Sequence, residues 1–198
     1  MRDKIQALKE HVREVSANPD FVHREWFVEY HLKLVERIAL ELLPHYPQAD
    51  PDVVMVMVWM HDYGKILDFD NQYAMTSAAG PGALTRLGFD AEFAGKVIAN
   101  IELLDRKMDE DLHEAPIEVQ IVSSADGASH HVGPFMPVYW RENAGKTIAD
   151  LMASQQAKTL KDWGRKMVLP EVRAAFEWRH RAAMEQAGVL PEKFLKVI

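Results

Sequence analysis

The stretch Val53–Met60 constrains this chain more than any other, because eight consecutive apolar residues end directly in His61-Asp62. A run of this length and composition is compatible with a buried strand or a buried helix. The preceding Asp50-Pro51-Asp52 favours the helix, since it supplies a side-chain cap, a proline for the first helical position and an acid in the first turn. A helix that is apolar on all sides lies in the middle of a domain. Two metal-competent side chains therefore arrive deep inside the fold.

The residues after this run indicate that the helix is interrupted. Gly64 is typical of a helix C-terminus or break. We expect the break to direct His61, Asp62 and Lys65 toward one place.

Composition limits the class of protein. A chain of 198 residues is long enough for one domain over 1–198, and 48% hydrophobic with 27% charged residues excludes wholesale disorder. The net charge of −7 argues against general nucleic-acid binding. The N-terminus lacks an apolar signal core, and the run at 53–60 is too short to span a bilayer. We expect a soluble, cytoplasmic protein without a membrane segment.

The rest of the chain has helical periodicity and no extended period-two alternation, which predicts an all-α fold. The expected helices cover about 1–17, 21–43, 51–60, 77–87, 91–104, a stretch from Pro116, 138–167 and 170–186. The basic residues of the C-terminal region, including Lys158, Lys161 and Lys166, are interpreted as a solvated helix face; the less favoured alternatives are a subunit contact and a rim for anionic substrates.

Two of these helices place polar residues on apolar faces. His31 shares a face with Val35 and Leu42, and Asp126 shares one with Val122. Taken singly, such a histidine is typical of a hydrogen-bonded core residue, and such an aspartate of a buried cap. Together with His61 and Asp62 they suit a divalent metal, because the chain has no cysteine and any ligands must be His, Asp or Glu.

The order His31, His61-Asp62 in HDYGK and Asp126 in SSADGASHH gives the pattern H…HD…D. This pattern, with the apolar run before it, resembles the signature of HD-domain metal-dependent phosphohydrolases. The resemblance covers about residues 25–132 and leaves about 138–198 as a helical extension. It implies an HD-domain helical bundle in which His31, His61, Asp62 and Asp126 hold one divalent ion.

The resemblance also implies a reaction. A metal-bound water would attack the phosphorus of a phosphate ester, the substrate being a nucleotide or another small phosphorylated metabolite. The ion would be Mn, Fe, Co, Ni, Zn or Mg. Asp62 would either ligate the ion or orient the water, and Lys65 would either meet a phosphate oxygen or form a structural ion pair.

The number of metal ions is expected to be one. HD proteins with two or three metals carry further histidines after the HD pair, and residues 72–107 contain none. Glu102 and Asp105 lie near where such ligands would fall and are interpreted as surface charge.

Two further residues are candidates for substrate contact. His130 follows Asp126 by four residues and shares its helix face, so it could meet the leaving group or move a proton; otherwise it is an ordinary helix-end histidine. Arg24 precedes His31 by seven residues and would share its face on a continuous helix, as a phosphate clamp; otherwise it is a surface arginine.

Two other functions and one assembly stay open. The chain could be a catalytically silent, metal-containing ligand-binding or regulatory module, or a non-hydrolytic HD enzyme such as a lyase or oxygenase. A homodimer is an assembly that the sequence permits.

Overall fold

The computed structural model describes residues 1–195, and within them the chain is all-α, as predicted. The end of the predicted C-terminal extension, 196–198, lies outside the described residues. Ten α-helices occur in residues 1–195: α1 (Arg2–Ser16), α2 (Lys33–Leu42), α3 (Pro51–Met60), α4 (Tyr63–Leu67), α5 (Gln72–Arg86), α6 (Ala91–Asp105), α7 (Ile117–Ser129), α8 (Phe135–Glu142), α9 (Ile148–Lys161) and α10 (Pro170–Gln186). Over the same residues, no helix is both long enough and apolar enough to cross a bilayer.

The apolar run forms α3, and α3 is the centre of the fold. Every side chain from Val53 to Met60 is buried, with at most 9% of its surface exposed. The helix begins as the sequence predicts, because the Asp50 side chain accepts hydrogen bonds from the backbone N–H groups of Asp52 and Val53. Helices α1, α2, α6 and α7 pack around it. The C-terminal end of α3 therefore opens inside the bundle.

The helix predicted over 21–43 is interrupted. Residues 21–26 form turns, Val28–Leu32 forms a π-helical turn, and only then does α2 begin. Because a π-turn is wider than an α-helical turn, side chains before and after it no longer follow one α-helical periodicity. Such turns are frequent at functional sites.

Other helix boundaries also differ from the prediction. The segment 138–167 is not one helix: α8 ends at Glu142, α9 begins after the Thr147 cap, and a second π-helical turn follows at Asp162–Lys166. Helix α5 begins earlier than predicted and contains Pro81.

The C-terminal extension contributes to the same core as α3. Met167, Val168 and Leu169 are buried in the main hydrophobic cluster. The backbone N–H groups of Val168 and Leu169 both donate to Ser124 Oγ on α7. These bonds fix the second π-turn against α7.

Helix α4 comes very close to the backbone of α5 at Gly64. A Cβ atom there would lie 1.9 Å from the backbone oxygen of Gln72 and 2.6 Å from Thr76 Oγ1. The Gly64 N–H donates to that same Thr76 oxygen at 2.9 Å. Only glycine allows this approach, which holds the chain directly after His61-Asp62.

We expect Gly64→Ala to lower the free energy of unfolding by at least about 2–3 kcal/mol, because backbone atoms of α5 would have to move. Gly95→Ala is the matched control: its Cβ would meet nothing within 4 Å, and alanine in helix α6 should add about 0.5–1 kcal/mol. Urea unfolding measures both. Equal stability of the two variants would contradict the close approach.

Candidate metal centre

His61 is the C-cap residue of α3, and its imidazole has a defined orientation. Nδ1 lies 2.9 Å from the carbonyl oxygen of Val58, so Nδ1 carries the proton and donates it. Nε2 is buried and has no hydrogen-bond partner among residues 1–195. The lone pair of Nε2 therefore points into the interior without a donor.

His31 lies in the first π-turn and has the same kind of orientation. Its Nδ1 is 3.1 Å from Ser129 Oγ, which donates its own proton to the carbonyl oxygen of Asp126. Ser129 Oγ must therefore accept from Nδ1. Nε2 of His31 is again buried and, within residues 1–195, without a partner.

Two carboxylates meet these two lone pairs. Nε2 of His31 lies 3.3 Å from Asp62 Oδ2 and 3.8 Å from Asp126 Oδ1. Nε2 of His61 lies 3.6 and 3.9 Å from the same two oxygens. Lys65 and Lys166 already contact the two carboxylates, and the acceptors that face one another between them could hold a further cation.

The ionisation of these groups is consistent with a cation site. Burial lowers the pKa of His31, which keeps the imidazole neutral near pH 7. Burial acts to raise the pKa of Asp126, but the Lys166 ammonium beside it opposes this effect, and that pKa lies well below its usual range. The pKa of Asp62 is held down in the same way, with Lys65 as the main counter-charge. Neutral imidazole and ionised carboxylate are the forms that bind metal.

Two overlapping groups of three buried or half-buried side chains could hold a divalent ion. His31, His61 and Asp62 form one group whose donor atoms lie within 4.8 Å of one another, and His31, Asp126 and His130 form a second, overlapping group. Each of the first two imidazoles donates its other N–H to an oxygen, the arrangement that orients metal-bound histidine. A nitrogen and oxygen donor set suits a borderline transition ion better than calcium.

Lys65 lies beside this centre, as predicted. Its Nζ donates to Asp62 Oδ2 at 2.6 Å, and 28% of its side chain remains exposed in the cavity above. Lys65 therefore forms an ion pair with Asp62 and also has part of its side chain facing the cavity.

His130 is at the C-terminus of α7 and faces the same centre. Its ring stacks on His31 at 5.3 Å between centroids, and its Nε2 lies 3.4 Å from Asp126 Oδ1. Nδ1 lies 2.9 Å from Asp162 Oδ2. Burial, together with the charge of Lys158, lowers the pKa of His130 to about 3. His130 is therefore neutral, with its proton held toward Asp162.

The sequence analysis missed the residues that support His130 and Asp126. Asp162 is fully buried; Lys158 Nζ lies 3.4 Å from its Oδ2 and Lys166 Nζ 3.6 Å from its Oδ1. Lys166 Nζ also donates to Asp126 Oδ2 at 2.5 Å. The interpretation of Lys158 and Lys166 as a solvated face is thus wrong. Lys158 and Lys166 lie four residues before and after Asp162, and this spacing could have indicated that both contact it.

A cavity of about 520 Å³ opens above the centre. Asp105 and Lys107 line it, which corrects the interpretation of Asp105 as surface charge; burial raises the pKa of this carboxyl to about 6. Glu102 is exposed, as predicted. Trp26 and Phe135 form an apolar wall of the cavity.

Arg24 does not reach the centre. Its side chain is exposed, does not line the cavity and donates to the backbone oxygen of Pro19. The prediction assumed a continuous helix from Arg24 to His31, but residues 22–26 form turns, so Arg24 does not lie on a helix with His31. The structure brings together every other predicted site residue.

Comparison with known proteins gave no match to this chain among family models, curated proteins or solved structures. The geometry of the centre is therefore the basis for any functional assignment.

We expect His61→Gln to reduce the affinity for a transition metal by more than about 100-fold, beyond the loss typical of outer-shell partners. His113→Gln, at a side chain that is 56% exposed, should bind metal like the parent chain. Titration of the metal-free protein with Co²⁺ or Zn²⁺ followed by elemental analysis measures both. Equal metal content would refute the centre.

We expect Lys166→Met to lower the free energy of unfolding by about 3–5 kcal/mol in the metal-free protein, because two buried carboxylates lose a cation. The deficit should shrink when metal is added, since the ion supplies positive charge to Asp126. The exposed neighbour Arg165→Met should change stability by less than about 0.5 kcal/mol. A Lys166→Met deficit no larger than that of Arg165→Met would contradict this role.

Proposed function

We propose that this chain is an HD-domain metal-dependent phosphohydrolase that cleaves a phosphate ester of a nucleotide or another small phosphorylated metabolite. The observation that carries the proposal is the pair of buried Nε2 lone pairs, on His31 and His61, which face two carboxylates on the floor of a cavity. The H…HD…D order of the same residues supports it.

The ligand set would be His31, His61, Asp62 and Asp126. A bound divalent ion supplies Lewis acidity: it makes water a nucleophile near neutral pH and offsets negative charge on a phosphoryl oxygen. Lys166 occupies Oδ2 of Asp126, so this carboxylate has only Oδ1 available for the ion.

Lys65 would hold the phosphoryl group. Its ammonium is anchored on Asp62 and partly exposed in the cavity, so it can donate to a phosphoryl oxygen without leaving its ion pair. A fixed positive charge at this position stabilises the charge that develops on the equatorial oxygens during transfer.

His130 would accept a hydrogen bond from the attacking water and so orient it. Asp162 holds the proton of Nδ1, which leaves the Nε2 lone pair free to accept. Because the pKa of His130 is lowered to about 3, the imidazole stays neutral and the proton of the water passes to solvent. The new bond joins the water oxygen to phosphorus, the ester P–O bond breaks, and the leaving oxygen takes a proton from solvent. Asp162 is a positioning residue in this scheme.

The metal-loaded protein should hydrolyse 4-nitrophenyl phosphate or members of a panel of phosphate monoesters, and His61→Gln should abolish this activity together with metal binding. Lys65→Met should reduce kcat/KM by roughly 10- to 100-fold while metal content stays unchanged. Lys96→Met, at an exposed lysine of α6, is the control.

Three results would overturn the proposal. Full metal occupancy without hydrolysis of any ester would favour the silent binding module. Two metal ions per chain with redox-active spectra would favour a non-hydrolytic enzyme. Activity that persists without metal would exclude the centre as its source.

A further inference from the structure

The cavity contains more positive than negative side chains, although the chain as a whole carries a net charge of −7. Four of its lysines are each matched with one aspartate at 4.0 Å or less. The pairs are Lys65 with Asp62, Lys107 with Asp105, Lys158 with Asp162 and Lys166 with Asp126. These pairs leave the floor of the cavity close to neutral before any metal ion binds.

Two further lysines, Lys146 and Lys161, line the same cavity. Neither has a carboxylate within 4.0 Å among residues 1–195. Lys161 is half-buried at the end of α9. Glu142 also lines the cavity, but its two oxygens contact the Trp26 indole N–H and His23 Nδ1. The side chains around the cavity therefore keep an excess of positive charge, which attracts anions.

The apolar wall leads from the metal centre toward these lysines. The Phe135 ring lies 4.2 Å from the His130 ring, and Lys158 Nζ lies 4.9 Å from the same Phe135 ring. One turn further along α8, Tyr139 lies under Lys146, whose Nζ is 5.8 Å from the ring centroid. Aromatic side chains of α8 therefore contact both His130 and Lys146 on the cavity wall.

We propose that Lys146 and Lys161 form a second anion subsite, so that the substrate carries two separate anionic groups and a planar or apolar body. One group would be the phosphate at the metal centre, and the other a phosphate or carboxylate at the two lysines. The body would pack against Trp26, Phe135 and Tyr139. This inference rests on the proposed function for the identity of the first group.

The test compares two ligands that share a planar body. Adenosine 5′-monophosphate has one phosphate, and adenosine 3′,5′-bisphosphate has two. On the metal-loaded protein the bisphosphate should bind at least about tenfold more tightly, by calorimetry and by competition with 4-nitrophenyl phosphate, because charge-assisted hydrogen bonds to the second phosphate are added.

Lys146→Met/Lys161→Met should reduce this advantage to less than about twofold and leave the KM for 4-nitrophenyl phosphate unchanged within about twofold. Lys146→Arg/Lys161→Arg should retain the advantage. Lys33→Met/Lys96→Met, at exposed lysines outside the cavity, is the charge-matched control. Thermal unfolding confirms that each variant is folded, and Lys146→Met alone, in the exposed turn before α9, should show part of the loss.

The outcomes separate the two proposals. Equal affinity for both nucleotides in the parent chain, or an advantage that survives in the methionine double variant, would overturn the second subsite. Failure to hydrolyse 4-nitrophenyl phosphate would count against the phosphohydrolase alone, since calorimetry still measures the difference between the nucleotides.

Discussion

The compensation of charge around Asp126 is the constraint on which the site depends. One oxygen of this buried carboxylate faces three imidazoles, and the other binds the Lys166 ammonium. Burial disfavours every charge in this region, so each one persists only because an opposite charge lies beside it. Lys166 is held in its turn by Asp162. The result is a chain of contacts from the first half of the sequence to its last third, in which no charged member can be removed without leaving another uncompensated.

Helix α3 explains why such a site can lie so deep. Its side chains from Val53 to Met60 are buried, so the helices around it meet it mainly through apolar side chains; one exception is Glu36 of α2, which accepts from Trp59 Nε1. Polar residues collect where the helix ends, because the bundle has space there that α3 no longer fills. The close approach at Gly64 then keeps α4 and α5 against this end. The depth of the site and the absence of polar residues on α3 therefore have one cause.

The all-α fold and much of the site were predictable because they depend on local patterns. The apolar run, its cap and the inward faces of His31 and Asp126 are readable within single helices. The errors arose where a predicted helix is interrupted and where two residues far apart in the sequence meet in the structure. Arg24 was assigned by extending a helical face back from His31, but residues 22–26 form turns and no helical face continues through them. Lys166 is forty residues from Asp126, and no local pattern in either segment indicates that they meet. Whether the centre binds metal and cleaves phosphate esters stays a prediction.

The C-terminal extension is a structural part of the centre. A core that ended near residue 132 would leave Asp126 without Lys166 and His130 without Asp162, and both histidine tautomer and carboxylate charge would then depend on solvent. The second π-turn brings these two residues to the site together, because residues four apart in such a turn share one face. The same segment places Lys161 at the cavity wall. The part of the chain that the H…HD…D pattern does not describe thus supplies counter-charges to the centre and a lysine to the cavity wall.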